Sequence, residues 1–329
     1  MIITKNNLDV YLNGSLCLAT GGGLPYEKHK EIFINIFDTK EDIKVVSLDN
    51  FDDKDILVSA YGVGDPSDIP ENFEEITQVA FSKYTQLIGL NIKGIIPGEI
   101  GAEGLAFQIN NSVGIPVVDS DLVGGRAAPE IQLDVFSVFN LNITPVLLVA
   151  SNKNSLFLNK KYSALEIEKK SRRFFDDNGS SGILIGYPIT VEKYNKYAMK
   201  NTLSLAMKVG KAFKSKEIEM ILQILNARVI YGGKIKDVGL KSVGGFLIGD
   251  IYLNKAKVRV KNENIFVEFN NGRKIYSPDL FVFIDVNQDP IHNTKIDKYI
   301  NKYVKLLHIP AQGYWQKTET KEMWHKIIE

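Results

Sequence analysis

Cysteine is almost absent from this 329-residue sequence, and its scarcity removes several kinds of site. The single cysteine, Cys17, has no partner for an intrachain disulfide and no second thiol for a cysteine-ligated metal site. It lies in the apolar run Leu16-Cys17-Leu18, where we expect a buried thiol that behaves as a small hydrophobe. A chain of this length without disulfides is typical of a reducing compartment, so we expect a cytoplasmic protein.

Long apolar runs and an excess of one charge are also missing. No stretch approaches the roughly 20 apolar residues that cross a membrane, and the segment MIITKNNLDVYLNG has no apolar signal region. The 40 basic and 39 acidic residues give a net charge of +1. This balance provides no electrostatic attraction for nucleic acid or an anionic membrane, and we expect neither as a partner.

The motifs of several common enzyme classes do not occur. The four histidines show no H-E-x-x-H spacing, no serine lies in a G-x-S-x-G motif, and there is no G-x₄-G-K-[ST] phosphate loop. The segment Gly21-Gly22-Gly23-Leu24-Pro25-Tyr26 lacks the G-x-G-x-x-G spacing of dinucleotide-binding turns. These absences argue against a zinc peptidase, a serine hydrolase, a P-loop enzyme and a nicotinamide-dependent enzyme.

The apolar pattern changes near residue 163 and predicts two domains, 1–162 and 163–329. In the first, short apolar runs alternate with helical patterns, which predicts a three-layer α/β domain with a mostly parallel sheet. The predicted strands are Ser15–Ala19, Lys44–Leu48, Ile56–Ala60, Gly94–Ile96, Pro116–Val118 and Pro145–Ala150. The predicted helices between them are Tyr26–Phe37, Phe73–Leu90 and Ala102–Val113.

The second domain begins with helical patterns and then becomes rich in strands. Its predicted helices are Ser163–Asp177, Lys200–Phe213 and Glu217–Leu225, with a strand at Ser181–Tyr187. Short strands with tight turns follow, from Arg228–Ile230 to Tyr303–His308, and predict a β-barrel-like domain with a few helices. Asn271-Gly272, between two alternating strands, predicts a type I′ hairpin.

A glycine-rich turn follows the first predicted strand. Glycine lets the backbone approach a ligand closely, and Pro25 suits the first turn of a helix. Amides at that helix N-terminus would bind a carboxylate, a phosphate or a developing oxyanion, whereas the alternative is a tight turn without a ligand. The candidate substrate-binding residues here are Gly21, Gly22, Gly23 and Tyr26. We expect a second glycine pair, in Gly62-Val63-Gly64-Asp65-Pro66, to border the same cleft.

Acidic residues and one arginine cluster after two later predicted strands. In an extended segment Asp119 and Asp121 point the same way, and paired carboxylates either hold a divalent metal or raise each other's pKa for acid–base work. An arginine beside them would neutralise the pair or clamp a planar substrate. The alternative is that these acids cap helices and form loop salt bridges. The candidate catalytic residues are Glu99, Asp119, Asp121, Arg126 and Glu130, with Gly125 as a substrate-binding candidate.

Several of these segments, in this order, resemble the S-methyl thiohydantoin desulfurase family, often labelled hydantoinase- or oxoprolinase-like. The similar segments of the first half are Thr20-Gly21-Gly22-Gly23-Leu24-Pro25-Tyr26, Glu99-Ile100-Gly101, Pro116-Val117-Val118-Asp119-Ser120-Asp121 and Gly125-Arg126-Ala127-Ala128-Pro129-Glu130. Those of the second half include Tyr231-Gly232-Gly233-Lys234-Ile235, Lys261-Asn262-Glu263 and Ser277-Pro278-Asp279-Leu280. The resemblance implies an α/β domain followed by a β-barrel-like domain.

The resemblance also implies an activity, namely hydrolysis of an S-methyl thiohydantoin-type ring to a hydantoin and a thiol. In this hypothesis Asp119 and Asp121 activate water directly or through a divalent metal, and Glu99 and Glu130 support them. Arg126 orients the ring or a carboxylate on its side chain, and the Gly21–Gly23 amides face the developing negative charge. The expected partner is a small ring substrate, and we expect a homo-oligomer. The alternatives are a non-catalytic metabolite-binding protein and a subunit of a hydantoinase- or oxoprolinase-like assembly.

Overall fold

The first of two sheets contains eight strands in the computed structural model, which describes residues 1–64 and 72–328. The strand order is β1-β2-β5-β4-β3-β8-β6-β7. The bounds are β1 Ile2–Thr4, β2 Asp42–Val46, β3 Ile56–Val63, β4 Ile92–Pro97, β5 Val117–Val118, β6 Val146–Ala150, β7 Ser155–Leu158 and β8 Gly182–Thr190. The neighbours β2, β5, β4 and β3 pair in parallel, and the outer strands pair antiparallel. The predicted parallel arrangement therefore holds at the centre of the sheet.

Helices cover both faces of this sheet. Their bounds are α1 Leu8–Leu18, α2 Tyr26–Phe37, α3 Phe73–Ile88, α4 Gly104–Val113, α5 Val135–Val138, α6 Ala164–Asp176, α7 Val191–Asn195, α8 Thr202–Ser215, α9 Ile218–Leu225 and α10 Thr318–Ile328. One buried apolar cluster joins α1–α4, α8 and α9 to one face, and a second joins α5, α6, α7 and α10 to the other. The three layers predicted from the alternating pattern are confirmed.

The predicted strand Ser15–Ala19 is wrong, because these residues belong to the end of α1 and to the turn after it. The helix packs against α8 at an unusually close crossing. A Cβ atom on Gly14 would overlap the carbonyl of Ala206, and one on Gly210 would overlap the carbonyl of Val10. Since α1 is buried nearly all round, its sequence is apolar without a clear helical stripe. A short continuous run of apolar residues does not distinguish a buried helix from a buried strand.

The second sheet has seven antiparallel strands that curl into a half-barrel. Their order is β13-β12-β11-β10-β9-β15-β14. The bounds are β9 Arg228–Val243, β10 Phe246–Leu253, β11 Ala256–Lys261, β12 Glu263–Phe269, β13 Lys274–Tyr276, β14 Leu280–Ile284 and β15 Tyr303–Ile309. A third apolar cluster is formed by residues of these strands together with Ile291 and Ile296. The predicted fold class, α/β followed by a barrel-like β domain, is confirmed.

The hairpin between β12 and β13 forms as predicted, but its type I′ turn does not. Gly272 has φ +83°, whereas Asn271 is not among the residues with positive φ. The Gly272 N–H donates to the Phe269 carbonyl at 2.8 Å. A type I turn followed by one left-handed glycine makes a three-residue loop, and this loop needs only the glycine to be left-handed.

The two halves of the chain are joined through shared elements. Strand β8, which follows residue 162, lies inside the first sheet between β3 and β6. Thr20 also links the halves, because its hydroxyl donates to the Phe281 carbonyl at 2.9 Å and its carbonyl accepts from the Asn264 N–H at 2.9 Å. The domain division at residue 162 stays a prediction. Over the part of the chain described, no helix is long and apolar enough to cross a membrane.

Candidate functional site

A cleft lies where the ends of the central strands meet the start of β12. Its floor and walls come from the end of β3, the segments that follow β4 and β5, helix α6 and the β11–β12 turn. The open space is about 890 Å³ and includes a part that is continuous with solvent. The predicted residues that line it are Gly23, Gly62, Gly64, Glu99 and Glu130. Asp65 and Pro66, which were predicted to border it, lie outside the described residues.

Glu99, in the turn that follows β4, is one acid of the cleft. Its Oε2 accepts a hydrogen bond from the Ala128 N–H at 3.0 Å. Burial raises the pKa of the Glu99 carboxyl to about 8, and the carboxyl groups of Asp121 and Glu103 add to the rise, while the Ala128 N–H opposes it. A group with this pKa exchanges protons readily near neutral pH, which suits an acid or base catalyst.

Glu263, at the start of β12, is the second acid of the cleft. The side chain is buried and its Oε2 has no hydrogen-bond partner. Burial raises its pKa well above the ordinary value, and the nearby Glu99 carboxyl raises it further, against the opposing influence of Arg126 and the Gly23 amide. Two interacting carboxyl groups, one from each half of the chain, therefore share this cleft. Because the two carboxyl groups interact, they titrate as a pair, and one of them holds its proton more tightly than the other.

The glycine-rich turn shapes the wall beside Glu263. It joins two helices rather than a strand and a helix, which corrects the expectation from the sequence. A Cβ atom on Gly22 would clash with the Glu263 carboxyl group. A Cβ atom on Gly21 would clash with the Asn293 side chain. A Cβ atom on Gly23 would clash with the Gly101 carbonyl. His292 braces the turn, with Nε2 3.2 Å from the Gly23 carbonyl. The glycines are therefore needed for close packing.

The backbone amides of this turn are largely committed within the protein. The Gly22 N–H donates to the Ala19 carbonyl at 2.9 Å, and the Leu24 N–H donates to the Gly101 carbonyl at 2.8 Å. Tyr26 is turned away from the cleft and donates from its hydroxyl to Asp9 Oδ1 at 2.7 Å. These contacts leave the predicted oxyanion site without the Gly22 amide, and the predicted substrate contact of Tyr26 without its hydroxyl.

Glu130 lines the cleft but is held in an ion pair. Its Oε1 accepts from Lys261 Nζ on β11, and its Oε2 accepts from the Gln132 side chain. The pair connects the loop after β5 to the half-barrel. Glu130 is therefore a contact between the two halves at the mouth of the cleft.

Asp119 does not line the cleft, because its carboxylate caps helix α8. Oδ1 accepts from the Leu203 N–H at 3.1 Å and the Ser204 N–H at 3.0 Å, and Oδ2 accepts from the Ser204 hydroxyl. A carboxylate at a helix N-terminus satisfies amides that have no partner within the helix. This arrangement matches the alternative interpretation, in which the acid caps a helix.

Asp121 organises the loop that follows β5. Its two oxygens accept from the Val123 N–H at 2.8 Å and the Gly125 N–H at 2.6 Å. Gly125 has φ +80°, a conformation that favours glycine. Burial raises the pKa of Asp121 to about 7, opposed by the Thr202 hydroxyl and the two amides. Neither Asp121 nor Gly125 lines the cleft.

Arg126 is buried behind the cleft rather than within it. One terminal nitrogen donates to the Pro278 carbonyl, and the guanidinium carbon lies 4.1 Å from the centroid of the Trp324 ring. Burial lowers the pKa of Arg126 to about 9, although the carboxyl groups of Glu263 and Asp279 oppose the change. The guanidinium thus acts on Glu263 through its charge, and it ties the loop to the C-terminal segment.

The predicted metal site does not fit the geometry. A metal would need free carboxylate oxygens at Asp119 and Asp121, whereas both carboxylates accept hydrogen bonds from N–H and O–H donors. Among residues 1–64 and 72–328, no group of three or more His, Cys, Asp or Glu side chains is arranged to hold a metal ion.

Glu263, Asn262 and Arg172 are among the cleft residues that reasoning from the sequence missed. Asn262 and Glu263 belong to the segment Lys261-Asn262-Glu263, which was identified only through the family resemblance. The sequence did not predict that they lie near the acids of the first half. Asn262 has φ +59°, and its side-chain oxygen accepts from the Leu247 N–H at 2.8 Å. Arg172, within α6, gave no signal beyond the charge of an amphipathic helix. An Asn-Glu pair at a tight turn between short strands was the one local signal available.

Comparison with known proteins supports one family for the whole chain. The model of the S-Me-THD-like N-terminal domain matches residues 6–160, and that of the S-Me-THD-like C-terminal domain matches residues 162–324. No protein with a curated description matches the chain. The crystal structure of a protein from Chromobacterium violaceum is similar with a TM-score of 0.82 and 16% identity, over 100% of this chain and 96% of that one. The structural likeness supports the fold, and the two sequence matches show that the chain belongs to the S-methyl thiohydantoin desulfurase-like (S-Me-THD-like) family.

Proposed function

We propose that this protein is a hydrolase that converts an S-methyl thiohydantoin-type ring into a hydantoin and a thiol. The observation that carries the proposal is the pair of carboxyl groups, Glu99 and Glu263, with raised pKa values in one cleft. Membership in the family supports the substrate class. The acid–base pair supports the reaction type, since water addition and loss of a thiolate need both a base and an acid.

The two glutamates take different roles because their pKa values differ. Glu99, with the pKa near 8, is the general base, because its ionised fraction is appreciable near neutral pH. Glu263 holds its proton more firmly and is the general acid. The charge of Glu99 reinforces this division, since it opposes ionisation of Glu263.

In the addition step, Glu99 removes a proton from water while the oxygen bonds to the ring carbon that carries sulfur. The electron pair of the ring C=N bond moves to nitrogen, which takes up that proton. In the elimination step, the new hydroxyl becomes a carbonyl, the C–S bond breaks and Glu263 protonates the thiolate. The hydroxyl proton restores Glu263. One proton of the water ends on nitrogen and the other on sulfur, so the reaction balances.

The remaining cleft residues would position the ring. Asn262 is oriented by the hydrogen bond from the Leu247 N–H to its side-chain oxygen, so its NH₂ group is the donor we assign to a ring oxygen or nitrogen. The glycine-rich turn fixes Glu263, and the Ala128 N–H fixes Glu99. This division gives each reacting group a neighbour that holds its orientation.

The test is thiol release from S-methyl thiohydantoins by the purified protein and its variants. We expect Glu99→Gln and Glu263→Gln each to lower kcat/KM by about 10²–10⁴-fold, the usual contribution of an acid or base. Glu268→Gln, on the same strand as Glu263 but paired with Lys257 and Lys274, is the matched control and should retain activity. Circular dichroism and thermal melts establish that each variant is folded.

Two results would contradict the proposal. Full turnover in folded Glu99→Gln and Glu263→Gln proteins would remove the assigned acid and base. Saturable binding of the ring without any product would favour the non-catalytic alternative. We also expect release of the thiol to persist after chelation of divalent metals, since the proposed steps run through the two glutamates.

A further inference from the structure

A second pocket lies on the other side of the loop that follows β5. It opens between the start of α8, the end of α9, strands β14 and β15 and the segment that joins β15 to α10. The open space is about 590 Å³ and includes a part that is continuous with solvent. Residues 124–126 of the loop line this second pocket, whereas residues 128–130 line the cleft that contains Glu99 and Glu263. The two spaces are therefore separate and have one loop in common.

Much of the wall of the second pocket is apolar. Leu205 comes from α8, Leu225 from α9 and Trp315 from the segment before α10. Leu225 and Trp315 are buried, and Leu205 is half-buried. An apolar group that enters this space leaves water and contacts hydrocarbon, which lowers its free energy. The main part of a ligand that fits here is therefore apolar.

The cations among the described residues of this wall are Lys200 and Arg126. Lys200 is already paired, with Nζ 2.6 Å from Asp49 Oδ1. Arg126 is only 3% exposed, and its Nε donates to the Ala127 carbonyl at 3.3 Å while one terminal nitrogen donates to the Pro278 carbonyl. The other terminal nitrogen is buried and has no hydrogen-bond partner. A buried N–H group without an acceptor costs free energy, and the cost is larger on a charged group.

The acceptors that Arg126 has are neutral carbonyl groups, and the Trp324 ring lies against its guanidinium, with the centroid 4.1 Å away. Glu263 and Asp279 act on Arg126 through their charge, but both are engaged elsewhere. Burial raises the pKa of Glu263, so that its carboxyl group holds its proton. Asp279 Oδ2 lies 2.6 Å from His308 Nε2. An anion beside Arg126 would accept the free N–H and balance the charge at the same time.

We propose that the second pocket binds a small carboxylate with an apolar body, an alkanoate or an arylacetate. The carboxylate accepts from the free N–H of Arg126, and the apolar body contacts Leu205 and Trp315. One free N–H suits a carboxylate better than a phosphate, whose dianion needs several donors. The proposal involves neither Glu99 nor Glu263, so it goes beyond the proposed hydrolysis and is tested without turnover.

The experiment is isothermal titration calorimetry with phenylacetate and isovalerate, each compared with its uncharged amide. We expect each acid to bind at least about tenfold more tightly than its amide, because hydrogen bonds between charged groups are roughly twice as strong as those between neutral groups. A smaller preference for the acid would overturn the proposal. The absence of binding by either acid at about 10 mM would overturn it as well.

Matched variants show where the acids bind. Arg126→Gln should remove the preference for acid over amide. Leu205→Trp, which fills the pocket and leaves the cation in place, should weaken binding of both acids at least about tenfold. Arg172→Gln removes the cation of the cleft instead, and this control should bind the acids as the wild type does.

Circular dichroism and thermal melts establish that each variant is folded. If Arg126→Gln or Leu205→Trp does not fold, the other variant decides. Wild-type affinity for the acids in the folded pocket variant would show that they bind outside the second pocket. Lost binding in folded Arg172→Gln protein would place them in the cleft. Either result would overturn the proposal.

Discussion

The Oε1 oxygen of Glu263 occupies the space that a Cβ atom on Gly22 would fill. A residue of the first half thus sets the position of an acid from the second half. The contact connects the glycine-rich turn, which the sequence marked as a binding element, to the chemistry of the cleft. Its role is steric, because the glycine leaves room for the carboxyl group.

We predict that Gly22→Ala lowers kcat at least tenfold with a smaller change in KM, since the added methyl group displaces the Glu263 carboxyl from its working position. Gly239→Ala is the control, because a Cβ there makes only ordinary contacts, the nearest at 3.8 Å. Steady-state kinetics and a thermal melt on both variants provide the measurement. Wild-type kcat in the Gly22→Ala protein would show that this contact has no part in catalysis.

The pH dependence of activity follows from the raised pKa of Glu99. The base is active when ionised, so kcat/KM should rise with pH through a midpoint near 8. At still higher pH it should fall again, as the more firmly held proton of Glu263 is lost. Rate measurements from pH 5 to pH 10 with a neutral substrate test this shape. A profile that is flat between pH 6 and pH 9 would contradict the assignment of Glu99 as the base.

A substitution at Asp119 distinguishes a capping role from a catalytic one. We predict that Asp119→Ala lowers the free energy of unfolding by about 1–2 kcal/mol, the usual cost of a lost helix cap, and retains most of kcat below its melting temperature. Asp119→Asn keeps one acceptor for the Leu203 and Ser204 amides and should cost less. Denaturant titration and kinetics are compared on the same samples. Lost turnover at unchanged stability would return Asp119 to a direct role in the reaction.

The fold was largely predictable because its strands and helices carry strong local patterns. The helix Tyr26–Phe37 has the predicted bounds. The last strand of the half-barrel lies where it was predicted, whereas β9 does not end at Ile230 but continues to Val243. Helix α1 was missed because burial on nearly every side removes the periodic stripe that marks a helix. The spacing of apolar residues shows which face of a helix is buried. It gives no such information for a helix that is buried on every face.

The candidate site was predictable only in part, because the sequence does not show which N–H and O–H groups donate hydrogen bonds to a carboxylate. Asp119 and Asp121 have the spacing of a catalytic pair, yet the donors to Asp119 come from α8, far along the chain. Glu99 was found because it follows a central strand. Its partner Glu263 enters from the half-barrel, and that position follows from tertiary packing, in which Thr20 links the turn to Asn264 and Phe281.

A buried acid outside the cleft gives a prediction about stability. Asp134 caps α5, with Oδ1 accepting from the Ser137 N–H at 2.8 Å, and its Oδ2 has no hydrogen-bond partner. Burial raises the pKa of the Asp134 carboxyl to about 7, and the hydrogen bond from the Ser137 N–H opposes the rise. A neutral amide would keep the cap and remove the ionisable group.

The sign of the pH dependence follows from the raised pKa of the folded state. Between pH 4 and pH 7 the unfolded chain releases the Asp134 proton while the folded chain keeps it, so stability falls as pH rises, by at most about 1.4 kcal/mol per pH unit. Asp134→Asn lacks this loss, and its stability relative to wild type should increase from pH 5 to pH 8. Asp237→Asn, at an exposed position on β9, is the control for removal of a carboxyl group that is not buried. Denaturant titrations at pH 5, 6.5 and 8 measure the free energy of unfolding of each variant relative to wild type. A difference for Asp134→Asn that does not change with pH would mean that the buried carboxyl group ionises as readily in the folded chain as in the unfolded one.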